Sequence, residues 1–266
     1  MLWIIGLVFI LAAAGLLIAA GVQKKRFTLL ASTETSTAAD LSSMAGAVAE
    51  EIGAGSFHQI AEVAGTSRCS DPLVSELTGT PCVYYDMRVV REYQETYWDT
   101  DGNQNRVQRS RRGSDTVAQN NRSCLFEVED ATGRVTVDPS EAKVVAEKAC
   151  DRFEPGEPRG PTLSLGRWRF DLGGLAVVGG RRTVGYRYQE KIVPVDRRIY
   201  VLGEASDRSG HVVIGKPTAK GAPFLVSTKS EEALIKSART AARWLVVGTA
   251  VAALAGAVMV VLGVLG

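Results

Sequence analysis

The chain begins and ends with uninterrupted apolar stretches, which constrain the fold more than any other feature of the sequence. Residues 1–22 and 244–266 contain no charged side chain. A helix needs about 20 apolar residues to cross the hydrocarbon core of a bilayer, so each stretch is long enough. A cleavable signal peptide is the alternative for the first stretch, and a buried core helix for the second. The sequence therefore predicts an integral, multi-pass membrane protein with two transmembrane helices.

The residues that flank these two stretches predict their orientation. Basic side chains lie only on the inner flanks, at Lys24, Lys25, Arg26, Lys236, Arg239 and Arg243. Flanks on the cytoplasmic side of a membrane carry the excess of Lys and Arg. We therefore expect the middle of the chain to lie in the cytoplasm, with both chain ends on the opposite side of the membrane.

Small residues recur at intervals of four within both apolar stretches. The second stretch contains Gly248, Ala252 and Gly256, and the first contains Gly15 and Ala19. This spacing lets helix backbones approach each other closely inside a membrane. It predicts either that the two spans pack on each other or that they form a homo-oligomer.

The hydrophobic periodicity divides the chain between the spans into three parts. Residues 23–56 are predicted to form a linker and an amphipathic helix, because their apolar residues recur at spacings of three and four. Residues 57–228 alternate with a period of two, which predicts a β-rich domain, either one small barrel or sandwich or two lobes. Residues 229–243 predict a juxtamembrane helix. The predicted fold class is an α+β membrane protein whose β-rich central domain lies between two transmembrane helices, with flanking amphipathic helices.

Three segments inside the β-rich domain are predicted to interrupt its strands. Residues 100–123 are polar and basic, which predicts a flexible hairpin loop. Residues 139–150 predict a short helix, and residues 151–166 a Pro/Gly-rich connector. Between the first two segments, "FEVEDATGRVTVDP" predicts a hairpin in which Phe126 and Val128 lie opposite Val135 and Val137.

The predicted basic loop is the clearest candidate for a binding surface. If it binds, anionic lipid headgroups suit a membrane-tethered domain, and the contacts would come from Arg106, Arg109, Arg111 and Arg112. The alternative is a solvated loop without a binding role. Nucleic-acid binding is not expected, because the segment has no interleaved aromatic residues on which bases could stack.

The sequence contains no pattern typical of an enzyme that uses a metal or a cofactor. The Gly-rich stretch 172–180 lacks both the dinucleotide-binding spacing and a phosphate-binding lysine. The histidines, His58 and His211, are not part of a metal-binding pattern. We therefore expect no metal, no cofactor and no small-molecule substrate.

The four cysteines, Cys69, Cys82, Cys124 and Cys150, form no Cys-x-x-Cys pair. That spacing is typical of zinc ribbons and redox motifs, so neither is expected. Three interpretations stay open for these residues. They are buried packing residues, disulfides if the domain lies in an oxidising compartment, or a reactive thiol.

Three stretches, taken in order, resemble one family. They are "DPLVSELTGTPCVYY", "FEVEDATGRVTVDP" and "YRYQEKIVPVDRRIYVLGEAS". Together they resemble the GIDE domain of the MULAN and MAPL membrane-anchored E3 ubiquitin ligases of mitochondria and chloroplasts, and of the prokaryotic proteins that share this domain. The resemblance implies that the residues of this family signature have a structural role. The signature residues are Pro72, Leu73, Gly79, Pro81, Cys82, Tyr84, Tyr85, Asp130, Gly133, Glu190, Tyr200, Gly203 and Glu204.

The resemblance implies a domain between two transmembrane helices rather than a catalytic activity. Ubiquitin transfer by the ligases depends on a zinc-binding RING after the second span, and no cysteine follows Cys150 in this sequence. We therefore expect a prokaryotic-type member without a RING, in the cell membrane. The mitochondrial members place this domain in the intermembrane space, so an organelle membrane is the alternative.

Three functions follow as hypotheses. The first is a non-enzymatic scaffold whose β-rich domain binds an unidentified protein partner or lipid at the membrane surface. The second is an accessory protein, similar to an E3 ubiquitin ligase, that recruits separate ubiquitination machinery. The third is a thiol enzyme that uses Cys82.

Overall fold

The computed structural model of the chain describes residues 35–102, 104–156, 162–165, 168–171 and 181–265, and five isolated positions (8, 11, 14, 15 and 21) near the start. Apart from those five positions, the first predicted span lies outside the described residues. So do the linker residues 23–34 and the Gly-rich stretch 172–180.

The helices are α1 (Ala38–Glu51) and α2 (Glu231–Leu265). The strands are β1 (His58–Arg68), β2 (Leu73–Val74), β3 (Pro81–Thr100), β4 (Arg106–Ser123), β5 (Phe126–Glu129), β6 (Arg134–Val137), β7 (Lys143–Val145), β8 (Glu147–Pro155), β9 (Thr162–Leu165), β10 (Trp168–Asp171), β11 (Arg181–Pro194), β12 (Arg198–Ser206), β13 (Val213–Gly215) and β14 (Leu225–Ser227).

Five strands close into a small barrel. β1 pairs with β5, β5 with β6, β6 with β13, β13 with β12, and β12 pairs back with β1. The β6–β13 pairing is parallel and the other four are antiparallel. β14 and β7 extend the wall beyond β12. The β-rich domain predicted from the alternating pattern is therefore present, and it contains a closed barrel.

The barrel core is made of small and β-branched side chains that point inward from alternate positions. Val63, Val128, Val137 and Val201 are fully buried in it. α1 covers this core with one apolar face, including Leu41, which is also fully buried. The helix begins after Thr37, whose hydroxyl accepts a hydrogen bond from the Asp40 N–H, and the Asp40 carboxylate accepts one from the Thr37 N–H in return. This reciprocal cap satisfies donors that the first turn would otherwise leave free.

A second sheet continues from the barrel through β3 and β11. The order in this sheet is β2-β3-β11-β8, and β4 pairs with β3. Val83 and Val193, near one end of β3 and of β11, are buried in the barrel core. Further along, Met87 and Val89 of β3 lie in a separate apolar cluster with Trp168, which comes from the two-stranded β9–β10 sheet.

The segment 100–123 differs from the flexible loop that the sequence predicted. β3 and β4 pair in antiparallel register from Tyr84↔Ser123 to Thr100↔Arg106, so only the residues between Thr100 and Arg106 form the turn. Both faces of this part of the hairpin are largely exposed. Because neither face is buried, the residues of this segment do not alternate between apolar and polar. The sequence therefore lacks the pattern that indicates a strand.

Two further segments also differ from the sequence-based expectation. Residues 139–150 contain no helix; they contribute β7 and the start of β8, because their backbone pairs with β14 and β11. In the predicted connector 151–166, β8 continues to Pro155 and β9 begins at Thr162. Residues 157–161 lie outside the described part of the chain.

α2 is a single helix that joins the predicted juxtamembrane helix to the predicted second span. Ser230 caps it, since its carbonyl accepts a hydrogen bond from the Leu234 N–H at 3.0 Å. The stretch Glu231–Gly263 is long and apolar enough to cross a membrane, and among the described residues no second helix has this property. Large apolar side chains along it, such as Val251 and Leu254, are exposed.

Candidate functional site

The family-signature residues are arranged around buried or half-buried carboxylates, each of which fixes a turn. Glu190 of β11 is the most enclosed of these and is fully buried. Its Oε1 accepts a hydrogen bond from the Leu77 N–H at 2.7 Å. Its Oε2 accepts bonds from the Thr78 N–H at 3.0 Å and from the Thr78 hydroxyl at 2.6 Å. Glu190 thus joins two signature stretches that lie far apart in the sequence.

The turn held by Glu190 shapes the start of β3. Gly79 has a φ of 69°, a left-handed conformation that glycine adopts without steric cost. Its N–H donates to the Ser75 carbonyl at 3.0 Å. The chain then returns antiparallel, so that Leu73 lies opposite Cys82 and Val74 lies opposite Pro81. Pro72, directly before β2, lies at the entry to this turn.

Cys82 lies in a place that suits packing and does not suit nucleophilic chemistry. The residue is fully buried, in contact with Tyr85 and Ile192. Burial, and after it the negative charge of Glu190, raises the pKa of the Cys82 thiol to about 11. Because the thiolate is the reactive form of cysteine, almost none of the reactive species exists near neutral pH.

The two signature tyrosines of β3 differ in their surroundings. The Tyr85 hydroxyl donates to Glu76 Oε1 at 3.0 Å. Tyr84 is half-buried and packs against the barrel core. Burial raises the pKa of both hydroxyls, so both side chains act as neutral packing groups with a polar tip.

Asp130 ties the β5–β6 turn to the first turn of α1. Its Oδ2 accepts a hydrogen bond from the Ala38 N–H at 2.8 Å. Its Oδ1 accepts bonds from the Thr132 N–H at 2.7 Å and the Gly133 N–H at 3.0 Å. Burial acts to raise the pKa of this carboxyl, but the hydrogen bonds outweigh it, so the pKa lies below its usual value.

Glu204 fixes a loop on the outside of the barrel in a similar way. It accepts hydrogen bonds from the N–H and the hydroxyl of Thr218, both at 2.8 Å. The neighbouring Gly203 leaves no room for a side chain, because a Cβ there would lie 2.8 Å from the Gly215 carbonyl oxygen. Both residues therefore serve the packing of β12 against its neighbours.

Tyr200 contacts the Glu62 carboxylate, which was not among the site residues predicted from the sequence. Its hydroxyl donates to Glu62 Oε2 at 2.8 Å, and the Thr35 hydroxyl donates to Oε1 at 2.8 Å. Burial raises the pKa of Glu62. The only signal in the sequence is a single acidic residue inside the apolar run "IAEVA" of β1.

A groove of about 700 Å³ lies between the barrel and the start of α2. Its lining includes Glu62, Tyr200, Arg198, Lys229 and Glu231. Charges of both signs line it. Among the described residues, no group of three or more His, Cys, Asp or Glu side chains could hold a metal ion.

The β3–β4 hairpin separates its charges onto two faces, because successive strand residues point to opposite sides. On one, the paired face, Arg109, Arg111 and Arg181 meet carboxylates. Arg109 lies 3.0 Å from Asp99, and Glu95 lies 2.7 Å from Arg111 and 3.1 Å from Arg181.

On the opposite face Glu92 pairs with Arg187 at 3.0 Å, and the part nearer the hairpin tip, here called the cationic face, comprises Trp98, Arg106, Arg112 and Arg182. Arg112 and Arg182 are both Cα partners of Gln94, so they lie in one row across three strands. The Arg106 guanidinium carbon lies 5.7 Å from the centre of the Trp98 ring, and Trp98 is 62% exposed. Within the described chain, no carboxylate lies within ion-pair distance of these three arginines.

Fold and site together define a β-barrel domain with a long hairpin, joined directly to a helix that can span a membrane. The signature residues in this domain hold turns and do not gather in one pocket. The family model that matches residues 94–263 is GIDE, described as E3 ubiquitin ligase. The chain therefore belongs to the GIDE family.

One curated protein is similar to part of this chain. The E3 ubiquitin-protein ligase SPL1 of Arabidopsis thaliana is 35% identical over 103 residues, which are 38% of this chain. The match covers 27% of the relative, so the chain spans about a quarter of the length of that protein. No solved structure gives a significant match.

Proposed function

We propose that the chain is a non-enzymatic scaffold at a membrane surface. In this proposal, α2 anchors the domain, the barrel binds a protein partner, and the cationic face of the hairpin contacts anionic lipid headgroups. The observation that carries the proposal is the separation of charge on the hairpin. Arg106, Arg112 and Arg182 share one face with an exposed tryptophan and have no carboxylate partner in the described structure.

The residue types on this face fit a membrane interface. Tryptophan favours the headgroup region, because its ring is apolar and its N–H can meet a polar partner. Each arginine near an anionic surface contributes about 1 kcal/mol of binding free energy. Three arginines therefore contribute about 3 kcal/mol, which suffices for a domain that a helix already holds beside the bilayer.

The proposal changes the set of contact residues predicted from the sequence. Arg106 and Arg112 stay in the set, and Arg182 joins them. Arg109 and Arg111 leave it, because Asp99 and Glu95 already neutralise them. Two pairs of arginines on the same strand are therefore expected to behave differently, although each pair carries the same charge.

This difference provides the test. The full-length protein is placed in nanodiscs of brominated phosphatidylcholine, with or without phosphatidylglycerol, and tryptophan quenching is measured. Subtraction of a Trp98→Phe sample isolates the signal of Trp98. We expect anionic lipid to increase its quenching in the wild type and in Arg109→Gln/Arg111→Gln, but not in Arg106→Gln/Arg112→Gln. Equal behaviour of the two double variants would contradict the proposal.

The membrane arrangement of the proposal follows the flanking charges. It has two spans and a domain on the cytoplasmic face of a prokaryotic cell membrane, with an organelle membrane as the alternative. The test is protease digestion of sealed vesicles of known orientation. Digestion of the domain from the cytoplasmic side supports the arrangement, and digestion only from the other side contradicts it.

A second candidate function is that of an accessory protein for ubiquitin transfer. The description of the matching family and the name of the Arabidopsis relative favour it. The full-length chain would be incubated with ubiquitin, an activating enzyme and a panel of conjugating enzymes. Binding of a conjugating enzyme together with faster transfer supports this function. The absence of both excludes it.

A further inference from the structure

Two of the cysteines lie side by side at the base of the hairpin. Cys69 directly follows β1 and Cys124 directly follows β4, and their sulfur atoms are 3.8 Å apart. Both residues are free thiols and both are partly exposed. The Cys124 N–H donates to the Val83 carbonyl at 3.0 Å, which fixes its backbone against β3.

The backbone around this pair is held by the barrel. β1 and β5 pair in antiparallel register up to Arg68↔Glu127, so the two cysteines lie just beyond the end of a formed ladder. A disulfide needs its sulfur atoms about 2.05 Å apart. The atoms must therefore approach by about 1.8 Å from their observed 3.8 Å separation.

We propose that Cys69 and Cys124 form a redox site that closes to an intramolecular disulfide by exchange with a small-molecule or protein disulfide. The Cys69 thiolate, after losing its proton to solvent, attacks one sulfur of that disulfide and releases one thiolate. Cys124 then loses its proton and attacks the Cys69 sulfur, releasing the second thiolate. The two cysteines are oxidised by two electrons, and the external disulfide is reduced to two thiols.

The surroundings of the two sulfur atoms assign the order of attack. Cys69 lines an open groove of about 520 Å³ together with Leu125 and Arg134, so an external disulfide can reach it. Burial, and after it the contact with Cys69, raises the pKa of the Cys124 thiol to about 11. Little Cys124 thiolate is therefore present to attack an external disulfide, and Cys124 takes the second, intramolecular step, in which the Cys69 sulfur 3.8 Å away compensates for the small thiolate fraction.

The bond would enclose residues 70–123, which contain β2, β3 and β4. It would thus fasten the base of the whole hairpin to the barrel. A crosslink over a loop of this length restricts the unfolded chain strongly. For a protein of this size we expect the oxidised form to melt roughly 10 °C above the reduced form.

The other two cysteines serve as internal controls. Cys82 is fully buried. The Cys150 sulfur lies 3.8 Å from the Tyr188 carbonyl oxygen, which it contacts as a hydrogen-bond donor. In the described part of the chain neither makes a sulfur–sulfur contact like that between Cys69 and Cys124, so neither is expected to enter a disulfide.

The test uses the full-length protein in detergent micelles, equilibrated with oxidised glutathione. Peptide mapping under non-reducing conditions locates any disulfide, and thermal melting is followed with and without dithiothreitol. We expect a Cys69–Cys124 linked peptide and a rise in Tm that dithiothreitol reverses. Cys150→Ser should keep both results, whereas Cys69→Ser and Cys124→Ser should lose both.

Each serine variant is also melted under reducing conditions, where its Tm should match that of the wild type and so show that it folds. Glutathione attached to Cys69 without closure to Cys124 would overturn the proposal. A linked peptide that contains Cys82 or Cys150 would overturn it too. The outcome does not depend on lipid or protein binding, so the scaffold proposal stands or fails separately.

Discussion

Replacement of Glu190 by glutamine tests whether a signature carboxylate stabilises the fold. Glutamine keeps the shape of the side chain but offers one acceptor oxygen where the carboxylate offers two. The Thr78 hydroxyl can turn and accept a bond from the new amide. The backbone N–H groups of Leu77 and Thr78 cannot, so one of them is left without a partner in a buried place.

The size of the effect follows from these contacts. A buried donor left without a partner costs about 1–3 kcal/mol, and a hydrogen bond to a charged group contributes about 1.5–3 kcal/mol. The neutral glutamine avoids the cost of burying the Glu190 charge, which offsets part of this loss. We therefore expect Glu190→Gln to lower the free energy of unfolding by about 3 kcal/mol. In a domain of this size the corresponding fall in Tm is roughly 6–12 °C.

The assay combines thermal melting of the full chain in micelles with hydrogen exchange of residues 75–80. Exchange at Leu77 and Thr78 should accelerate in Glu190→Gln. Glu51→Gln, at the exposed end of α1, is the matched control and should stay within about 0.5 kcal/mol of the wild type. If Glu190→Gln also stays within that range and exchange of the turn is unchanged, the carboxylate does not hold the turn and the reasoning is refuted.

Three further changes have defined outcomes. Gly203→Ala should lower the free energy of unfolding by about 1–3 kcal/mol, because the added Cβ would overlap the Gly215 carbonyl. The control Gly46→Ala in α1 should not lower it, because nothing lies within 4 Å of the new Cβ. Chemical denaturation measures both variants. Asp130 has a lowered pKa in the folded state, so its stabilisation is present above its unfolded pKa of about 3.9 and is lost as pH falls through the folded value. The Tm difference between wild type and Asp130→Asn should thus be large at pH 6 and shrink toward pH 3; a constant difference would contradict the assignment. Cys82 should resist a maleimide reagent in the folded protein and react only in urea, as read by peptide mass; rapid labelling without urea would restore the thiol-enzyme hypothesis.

The sequence predicted those parts of the fold that depend on local pattern. The β5–β6 hairpin is confirmed in its register, with Phe126 opposite Val137 and Val128 opposite Val135. A helix predicted over residues 229–243 is present as the first part of α2, which begins after Ser230. In each case the residues that decide the structure are close together in the chain, and their spacing indicates the element directly.

Contacts between distant residues could not be predicted in the same way. Closure of the barrel depends on β1 pairing with β12, and Glu190 meets the turn at Thr78 although 112 residues separate them. β4 was not identified as a strand, because its stability comes from the partner strand and not from an apolar face of its own. The separation of the arginines onto two faces became visible only when the register with β3 was known.

The short connection between β14 and α2 fixes how far the barrel can lie from the apolar stretch of α2. Thr228 donates to the Val145 carbonyl and Lys229 to the Ser227 hydroxyl, so the chain between strand and helix is fixed. The polar part of α2 before Trp244 is about 20 Å long, and it separates the barrel from the apolar stretch of the helix by at most that distance. β3 is about 60 Å long. β3 is therefore about three times as long as the polar part of α2, so in the proposed membrane arrangement the hairpin is long enough for its tip to reach the bilayer surface.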